Sequence, residues 1–162
     1  MTIEELFQLG MDRSIISLIE QKKGISINVG AGNKKIKGAM PLDYPEWDAD
    51  FQDLPFDGET VGTIHAYHFL EHVKDPVKML LEFQRVLMVG GVANIVVPYF
   101  RSQMAAHDLD HKTQWCEETW RILFNNPYYN KNRISWRFTV GTNIIIGVVE
   151  RNLALMTQLI RN

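Results

Sequence analysis

A short apolar strand that runs directly into a glycine turn constrains this chain more than any other feature. The stretch is Ile25–Asn33, with the sequence Ile-Ser-Ile-Asn-Val-Gly-Ala-Gly-Asn. Gly30 and Gly32 allow the backbone to turn tightly and let a ligand approach without meeting a Cβ atom. Asp43 follows shortly afterwards, where an acid can accept hydrogen bonds from two ribose hydroxyls, as in nucleotide-binding βαβ units. The pattern predicts a nucleotide site at the end of a strand.

Predicted strands and helices alternate along the rest of the chain. The predicted strands are 25–29, 39–43, a weak one at 46–51, 60–66, 92–97, and 138–140 with 143–149 as a terminal hairpin. The predicted helices are one or two short ones within 3–22, one that begins at Asp75-Pro76, one at 113–124 and a final one at 153–160. This alternation favours an α/β fold with a mostly parallel sheet. In such sheets, ligands bind beyond the carboxyl ends of the strands.

Length and composition exclude several classes of protein. At 162 residues, the chain is expected to form one domain, 1–162. It has no apolar run of the ~20 residues that a membrane span requires. A single cysteine excludes an internal disulfide framework, and the start of the sequence lacks a signal-peptide profile, so we expect a cytoplasmic protein. The net charge of −2 disfavours nucleic acid as a partner.

Five segments carry a resemblance to a known family. In chain order they are Asn28–Gly32, Asp43, Asp50–Phe56, His68–His72 and Glu82–Gly91, the last reading Glu-Phe-Gln-Arg-Val-Leu-Met-Val-Gly-Gly. In their order and spacing, these segments make residues 24–115 similar to class I S-adenosylmethionine-dependent methyltransferases. The compact, methyltransferase type 11-like branch of that superfamily is the most similar.

The resemblance implies a Rossmann-like, doubly wound, mostly parallel sheet with a C-terminal antiparallel hairpin. It divides the chain into an N-terminal helical segment (1–23), a cofactor-binding half (24–100) and an acceptor-side half (101–162). Because Asp43 follows Gly30 by fewer than the ~20 residues of a dinucleotide fold, the helices after strands 1 and 2 are expected to be reduced. A thinly covered sheet face would allow self-association, so a homodimer is compatible with the sequence.

The resemblance also implies roles for individual residues, with S-adenosylmethionine as the cofactor. The cofactor-binding residues would be Asn28, Gly30, Ala31, Gly32, Asp43, Asp50, Phe51, Ala66 and Tyr67. The acceptor would be a small molecule or a polymer-attached group that contacts Tyr99, Asp110 and His111. If a general base is used, His68 or His107 is the candidate.

Two alternatives stay open. Asn28 replaces the acid that is common in the first motif and Val89 replaces a usual proline, so a cofactor-binding but catalytically degenerate structural or regulatory protein is the second reading. His68-x-x-Glu71-His72 also spells an inverted zinc-protease motif, and 107–111 is rich in ligand-type side chains. No cysteine and no further ligand cluster in the sequence supports zinc, so the expectation is a protein without a metal.

Overall fold

The six strands of the protein form one mixed sheet. The computed structural model describes residues 24–125, 135–147 and 153–162, so the predicted helices within 3–22 lie outside the described part. The strands are β1 (Ile25–Val29), β2 (Met40–Leu42), β3 (Val61–Tyr67), β4 (Leu87–Pro98), β5 (Phe138–Ile146) and β6 (Ala154–Arg161). Their order across the sheet is β2-β1-β3-β4-β6-β5.

The first four strands are parallel and the last two are antiparallel to their neighbours. β1 pairs in parallel with both β2 and β3, and β3 pairs in parallel with β4. β6 pairs antiparallel with β4 on one side and with β5 on the other. The predicted fold class, a mostly parallel sheet with an antiparallel pair at its C-terminal side, is confirmed.

The make-up of the antiparallel pair differs from the prediction. The expected hairpin of 138–140 with 143–149 is wrong, because β5 runs through Gly141 and Thr142 as one strand with an irregular register between Val140 and Asn143. The expected helix at 153–160 is wrong as well. This segment is β6, and its buried and half-buried residues alternate with the two-residue period of a strand.

Three helices are present in the described residues. α1 (Pro76–Val86) begins where the sequence predicts, because the Asp75 side chain accepts a hydrogen bond from the Lys78 backbone N–H at 2.9 Å and Pro76 opens the first turn. α2 (Gln103–His107) is capped by Ser102. α3 (Glu117–Asn125) begins later than the predicted 113, since Trp115 forms a β-bridge with Tyr99.

Turns replace the helices after β1 and β2. Residues 30–39 and 43–60 contain no helix, as the short spacing between the motifs predicts. The weak strand expected at 46–51 is wrong, because this segment folds into turns in which Trp47 N–H donates to the Asp43 carbonyl and Gln52 N–H to the Asp48 carbonyl. These turns leave the carboxyl ends of β1 and β2 accessible.

The two faces of the sheet differ in character. One face holds the core, with Ile27, Ile64, Ala93 and Leu159 in register across four strands and fully buried. The other face carries a polar row at the next register position: Asn28, His65, Asn94 and Gln158. Among the helices that the structure describes, none is long and apolar enough to cross a membrane.

Candidate functional site

The two glycines of the turn after β1 have different surroundings. Gly30 and Gly32 both adopt left-handed backbone angles, with φ of 63° and 48°. A Cβ atom on Gly30 would lie 2.5 Å from a ring carbon of Phe69, whereas a Cβ on Gly32 would meet nothing within 4 Å. Gly30 is therefore needed for packing, and Gly32 leaves open space above the turn.

Asn28 stabilises this turn with a side-chain hydrogen bond. Its buried side chain donates a hydrogen bond from Nδ2 to the Lys34 carbonyl at 2.9 Å. This hydrogen bond holds the turn together. Direct contact between Asn28 and a cofactor stays a prediction.

Asp43 joins the glycine turn to the end of β2. Its Oδ2 accepts from the Gly32 backbone N–H and its Oδ1 accepts from the Tyr44 N–H at 2.9 Å. The Gly30 N–H donates to the Leu42 carbonyl at 2.9 Å, which keeps the two segments side by side. Because an ionised carboxylate has about four acceptor sites, Asp43 can accept further hydrogen bonds from a ligand.

Two adjoining cavities open at the carboxyl ends of β1, β2 and β3. The smaller one, of about 360 Å³, is lined by Gly30, Asp43, Tyr44, Trp47, Asp48, Ala49, Asp50, His68, Phe69, His72, Val73 and Asp110. The larger one, of about 620 Å³, is lined by Ala31, Gly32, Asn33, Lys35, Pro41, Leu42, Asp43, Tyr44, Glu46, Trp47, Gln52, Asp53 and Pro55. Asp43, Tyr44 and Trp47 form a shared wall. Both volumes lie within the range of small-molecule sites.

Asp50 contributes to the smaller cavity but also makes internal contacts. Its Oδ1 accepts from the Lys74 N–H at 2.8 Å, and its Oδ2 lies 3.6 Å from Lys74 Nζ. Phe51 is 73% exposed, and Lys74 Nζ lies 4.5 Å from the centre of its ring. Phe51 is therefore a surface residue of the turn, with its backbone N–H donating to the Asp48 carbonyl at 3.2 Å.

Ala66 and Tyr67 occupy the end of β3, and neither lines the two cavities. Ala66 is fully buried. The Tyr67 hydroxyl lies 3.1 Å from Nδ1 of His65. Partial burial raises the pKa of Tyr67 and lowers that of His65, so both side chains favour their neutral forms.

His68 stands at the point where β3 leaves the sheet. Its backbone is left-handed, with φ of 55°, and its N–H donates to the Val96 carbonyl of β4 at 2.7 Å. The ring is about one-third exposed and its Nδ1 lies 3.3 Å from Oε1 of the buried Glu71. A non-glycine residue in this region is uncommon and is often found at functional positions.

The loop after β3 is joined to the segment after α2. The Lys112 backbone N–H donates to the Glu71 carbonyl at 2.7 Å, the Lys112 ammonium donates to the His72 carbonyl, and the Thr113 hydroxyl donates to the Leu70 carbonyl at 3.4 Å. These bonds place the 108–113 segment, which is distant in sequence, against residues 70–72.

This junction brings two of the predicted acceptor-side residues to the cavity region. Asp110 Oδ2 lies 3.2 Å from Nδ1 of His72, and the His72 and His111 rings are 4.7 Å apart between centroids. A backbone hydrogen bond from Asp110 lowers the pKa of Asp108, and the nearby His111 acts in the same direction. The junction is therefore rich in groups that bind protons or cations.

His107 and Tyr99 lie apart from this group. His107 is exposed, and its Nδ1 donates to the Gln103 carbonyl of its own helix at 2.7 Å. Tyr99 is 9% exposed and packs against Phe100, with 5.0 Å between ring centroids. Neither residue lines the two cavities described above.

Several wall residues had no predicted role. Trp47 is 5% exposed, donates from Nε1 to the Asp53 carbonyl at 3.0 Å and packs on Phe69. The sequence did contain a signal for this role. A tryptophan in a polar segment between two acid-bearing motifs is expected to pack against an apolar surface close to those acids. Glu71 and His72 lie within a motif that the sequence did show, but their proximity to His111 depends on the loop junction.

Comparisons with known proteins cover the part of the chain that contains the glycine turn and Asp43. Residues 28–95 match the family described as methyltransferase domain. This part of the chain, from β1 to β4, is therefore similar to methyltransferase domains.

Solved structures of low sequence identity share the fold of this chain. The MccD protein superposes with a TM-score of 0.61 at 14% identity, over 94% of this chain and 98% of that one. An S-adenosylmethionine-dependent methyltransferase from Thermotoga maritima gives 0.57 at 15% identity, over 86% and 83% of the two chains.

A third structure with this fold contains a donor product. Geranyl diphosphate C-methyltransferase from Streptomyces coelicolor A3(2), in complex with Mg²⁺, geranyl diphosphate and S-adenosyl-L-homocysteine, gives a TM-score of 0.51 at 14% identity, over 77% of this chain and 54% of that one. No curated protein matches the sequence.

Proposed function

We propose that this chain is an S-adenosylmethionine-dependent methyltransferase. It holds S-adenosylmethionine in the two adjoining cavities and transfers the methyl group to a small-molecule or polymer-attached acceptor. One observation supports this placement above the others. The Gly32 backbone and the Asp43 carboxylate meet at the carboxyl ends of β1 and β2, where the larger cavity opens. That edge of a parallel sheet is where nucleotide ligands bind.

The residues around the turn suit a nucleoside. Gly32 leaves the space that a Cβ atom would take. Asp43 keeps acceptor sites for two ribose hydroxyls. In this proposal Gly30 and Ala31 shape the turn, and Asn28 supports it from below. Asp50 and the Phe51 segment would border the adenine.

The acceptor would approach from the smaller cavity. S-adenosylmethionine supplies an already activated methyl group when bound, so the chain's main task is to orient donor and acceptor. His68 and Asp110 line this cavity, with His111 behind them. We propose His68, in preference to the more distant His107, for orienting the acceptor or taking its proton. Tyr99 lines neither cavity, so this proposal gives it no direct contact with the acceptor.

Calorimetry with S-adenosyl-L-homocysteine tests the donor site. We expect the wild-type protein to bind this product, and Asp43→Ala to weaken binding by about 1–3 kcal/mol, the scale for losing hydrogen bonds to a charged group. Asp57→Ala removes an exposed acid outside both cavities and should bind like the wild type. Thermal unfolding without ligand shows whether Asp43→Ala has also disturbed the turn.

The outcomes separate two parts of the proposal. A wild-type protein that binds neither S-adenosylmethionine nor its product would contradict the donor site as a whole. Unchanged affinity in Asp43→Ala would contradict only the assignment of Asp43 to the ribose.

A further inference from the structure

Three metal-ligating side chains meet beside the smaller cavity. One ligand atom from each of Glu71, His72 and His111 lies within 4.8 Å of the others. Glu71 and His72 come from the loop after β3, and His111 comes from the segment after α2. Two imidazoles and one carboxylate are a donor set that binds divalent transition metals.

Glu71 supplies an independent indication of a missing cation. It is 1% exposed, and neither of its carboxylate oxygens has a hydrogen-bond partner in the described part of the chain. His68 Nδ1 lies 3.3 Å from Oε1, without the geometry of a hydrogen bond. A buried carboxylate without donors is costly, and a cation held between its oxygens and the two imidazoles would remove that cost.

Hydrogen-bond partners orient both histidine rings. Nδ1 of His72 faces Asp110 Oδ2 at 3.2 Å, and Nδ1 of His111 faces the Ala105 carbonyl at 3.4 Å. A carboxylate and a carbonyl can only accept, so each Nδ1 donates and each Nε2 is the ring nitrogen left for a metal ion. Metal-binding histidines usually donate their second ring nitrogen to such partners, which fixes the ring orientation.

Further carboxylates add negative charge around the cluster. Asp108 Oδ2 lies 3.7 Å from Nε2 of His111, too far for a hydrogen bond. Asp110 lines the smaller cavity together with His72. The only lysine placed against this group by the described contacts is Lys112, whose ammonium also lies 3.9 Å from Asp110 Oδ1.

We propose that Glu71, His72 and His111 bind one divalent first-row transition-metal ion, with Zn²⁺ or Co²⁺ preferred over Mg²⁺ because of the two imidazole ligands. This site differs from the inverted zinc-protease reading of the sequence, since His68 is replaced by His111 from a distant segment. It also departs from the expectation of a protein without a metal. Three protein ligands leave a coordination position for an oxygen of the acceptor, and only this last role rests on the proposed methyl transfer.

Titration of the chelator-stripped full chain with Co²⁺ and Zn²⁺ tests the site. We expect one equivalent of either ion to bind, with Co²⁺ giving visible absorption bands, and Mg²⁺ to bind far more weakly. His72→Gln, His111→Gln and Glu71→Gln should each weaken binding at least tenfold. His65→Gln, which changes a histidine of β3 outside the cluster, should bind as the wild type does.

Thermal unfolding gives a second readout that does not depend on turnover. Saturating Zn²⁺ should raise the melting temperature of the wild type, because an ion that binds only the folded state stabilises it. The same ion should have little effect on Glu71→Gln. No binding by the wild type, or binding unchanged in all three cluster variants, overturns the proposal.

The donor site serves as the check on these variants. S-adenosyl-L-homocysteine affinity retained in His111→Gln shows that this variant is folded, so its loss of Co²⁺ supports the metal site. Wild-type protein that binds the nucleoside and no metal overturns the metal site alone. Wild-type protein that binds metal and no nucleoside contradicts the donor site alone.

Discussion

Gly30 and Gly32 are two positions apart, yet substitution should affect them in different ways. Alanine at Gly30 would combine a left-handed backbone with a Cβ atom 2.5 Å from the Phe69 ring. We expect Gly30→Ala to lower the free energy of unfolding by about 2–4 kcal/mol. Gly32→Ala should cost only about 1–2 kcal/mol for the backbone angle, because its Cβ meets open space.

Urea denaturation of the two variants measures this difference. Gly32→Ala should instead weaken the binding of S-adenosyl-L-homocysteine measured by calorimetry, because its methyl group enters the larger cavity. Equal stability of the two variants would contradict the claim that the Phe69 ring excludes a side chain at Gly30.

At the residue scale, the meeting of Gly32 and Asp43 was predictable and that of His72 and His111 was not. Neighbouring parallel strands end at the same edge of a sheet, so the turn after β1 and the acid after β2 had to be close. His111 reaches His72 through bonds from Lys112 to backbone carbonyls of the other loop. Such contacts are specified by the path of a loop, which has no periodic signal.

At the scale of elements, two side chains of α1 hold the segment that follows the turns. Glu82 accepts from the Leu54 N–H at 3.0 Å and from Arg85 Nε at 2.8 Å. Arg85 donates to the carbonyls of Leu54 and Phe56 at 3.0 and 2.8 Å. The Glu-x-x-Arg part of the resemblance therefore has a structural task, which is to fix residues 54–56 against the helix.

This clamp should make stability depend on pH. The hydrogen bond from Arg85 lowers the pKa of Glu82 from its ordinary 4.5, against the opposing effect of burial. A lowered folded-state pKa gives stability that is present above 4.5 and is lost as the pH falls through the lowered value. We expect Glu82→Gln to remove roughly 1 kcal/mol at neutral pH, and to flatten the fall in stability on acidification.

Glu118→Gln is the matched control for this prediction. Glu118 pairs with Arg121 at the same spacing on α3, but both side chains are more than half exposed, and such pairs contribute little. Urea denaturation from neutral pH to about pH 3 would measure both variants. An equal change in the free energy of unfolding for the two variants would show that the burial of Glu82 and its hydrogen bond from Leu54 do not stabilise the fold.

The start of α1 was predictable from Asp75-Pro76, while β6 was mistaken for a helix. The sequence of β6, Ala-Leu-Met-Thr-Gln-Leu-Ile-Arg, is rich in residues that favour helices in isolation. Pairing with β4 and β5 on both sides outweighs that preference, because the strand buries Leu155, Thr157 and Leu159 in the core.

For the whole molecule, the sheet order predicts a gradient of backbone protection. Hydrogen exchange followed by NMR or mass spectrometry should be slowest in β1, β3, β4 and β6, which have partners on both sides. The edge strands β2 and β5 should exchange faster, since β2 has only three residues and Ile144 and Ile145 of β5 are 47% and 40% exposed. Protection of β5 equal to that of β4 would indicate that another surface covers this edge.

The homodimer that the sequence allows stays a prediction. The polar row at Asn28, His65, Asn94 and Gln158 lies on the less buried face of the sheet. Sedimentation at several protein concentrations would test for the homodimer.

The position of β6 between β4 and β5 has a consequence for biosynthesis. A ribosome completes β4 at Pro98, but the strand that pairs with its free side begins only at Ala154. During that interval the nascent chain presents an apolar edge, Val92–Val97, with unpaired backbone groups, which is a template for association with other chains. Slower translation would prolong this exposure, so chaperone demand during expression should rise with the time between the two strands rather than with the stability of the finished protein.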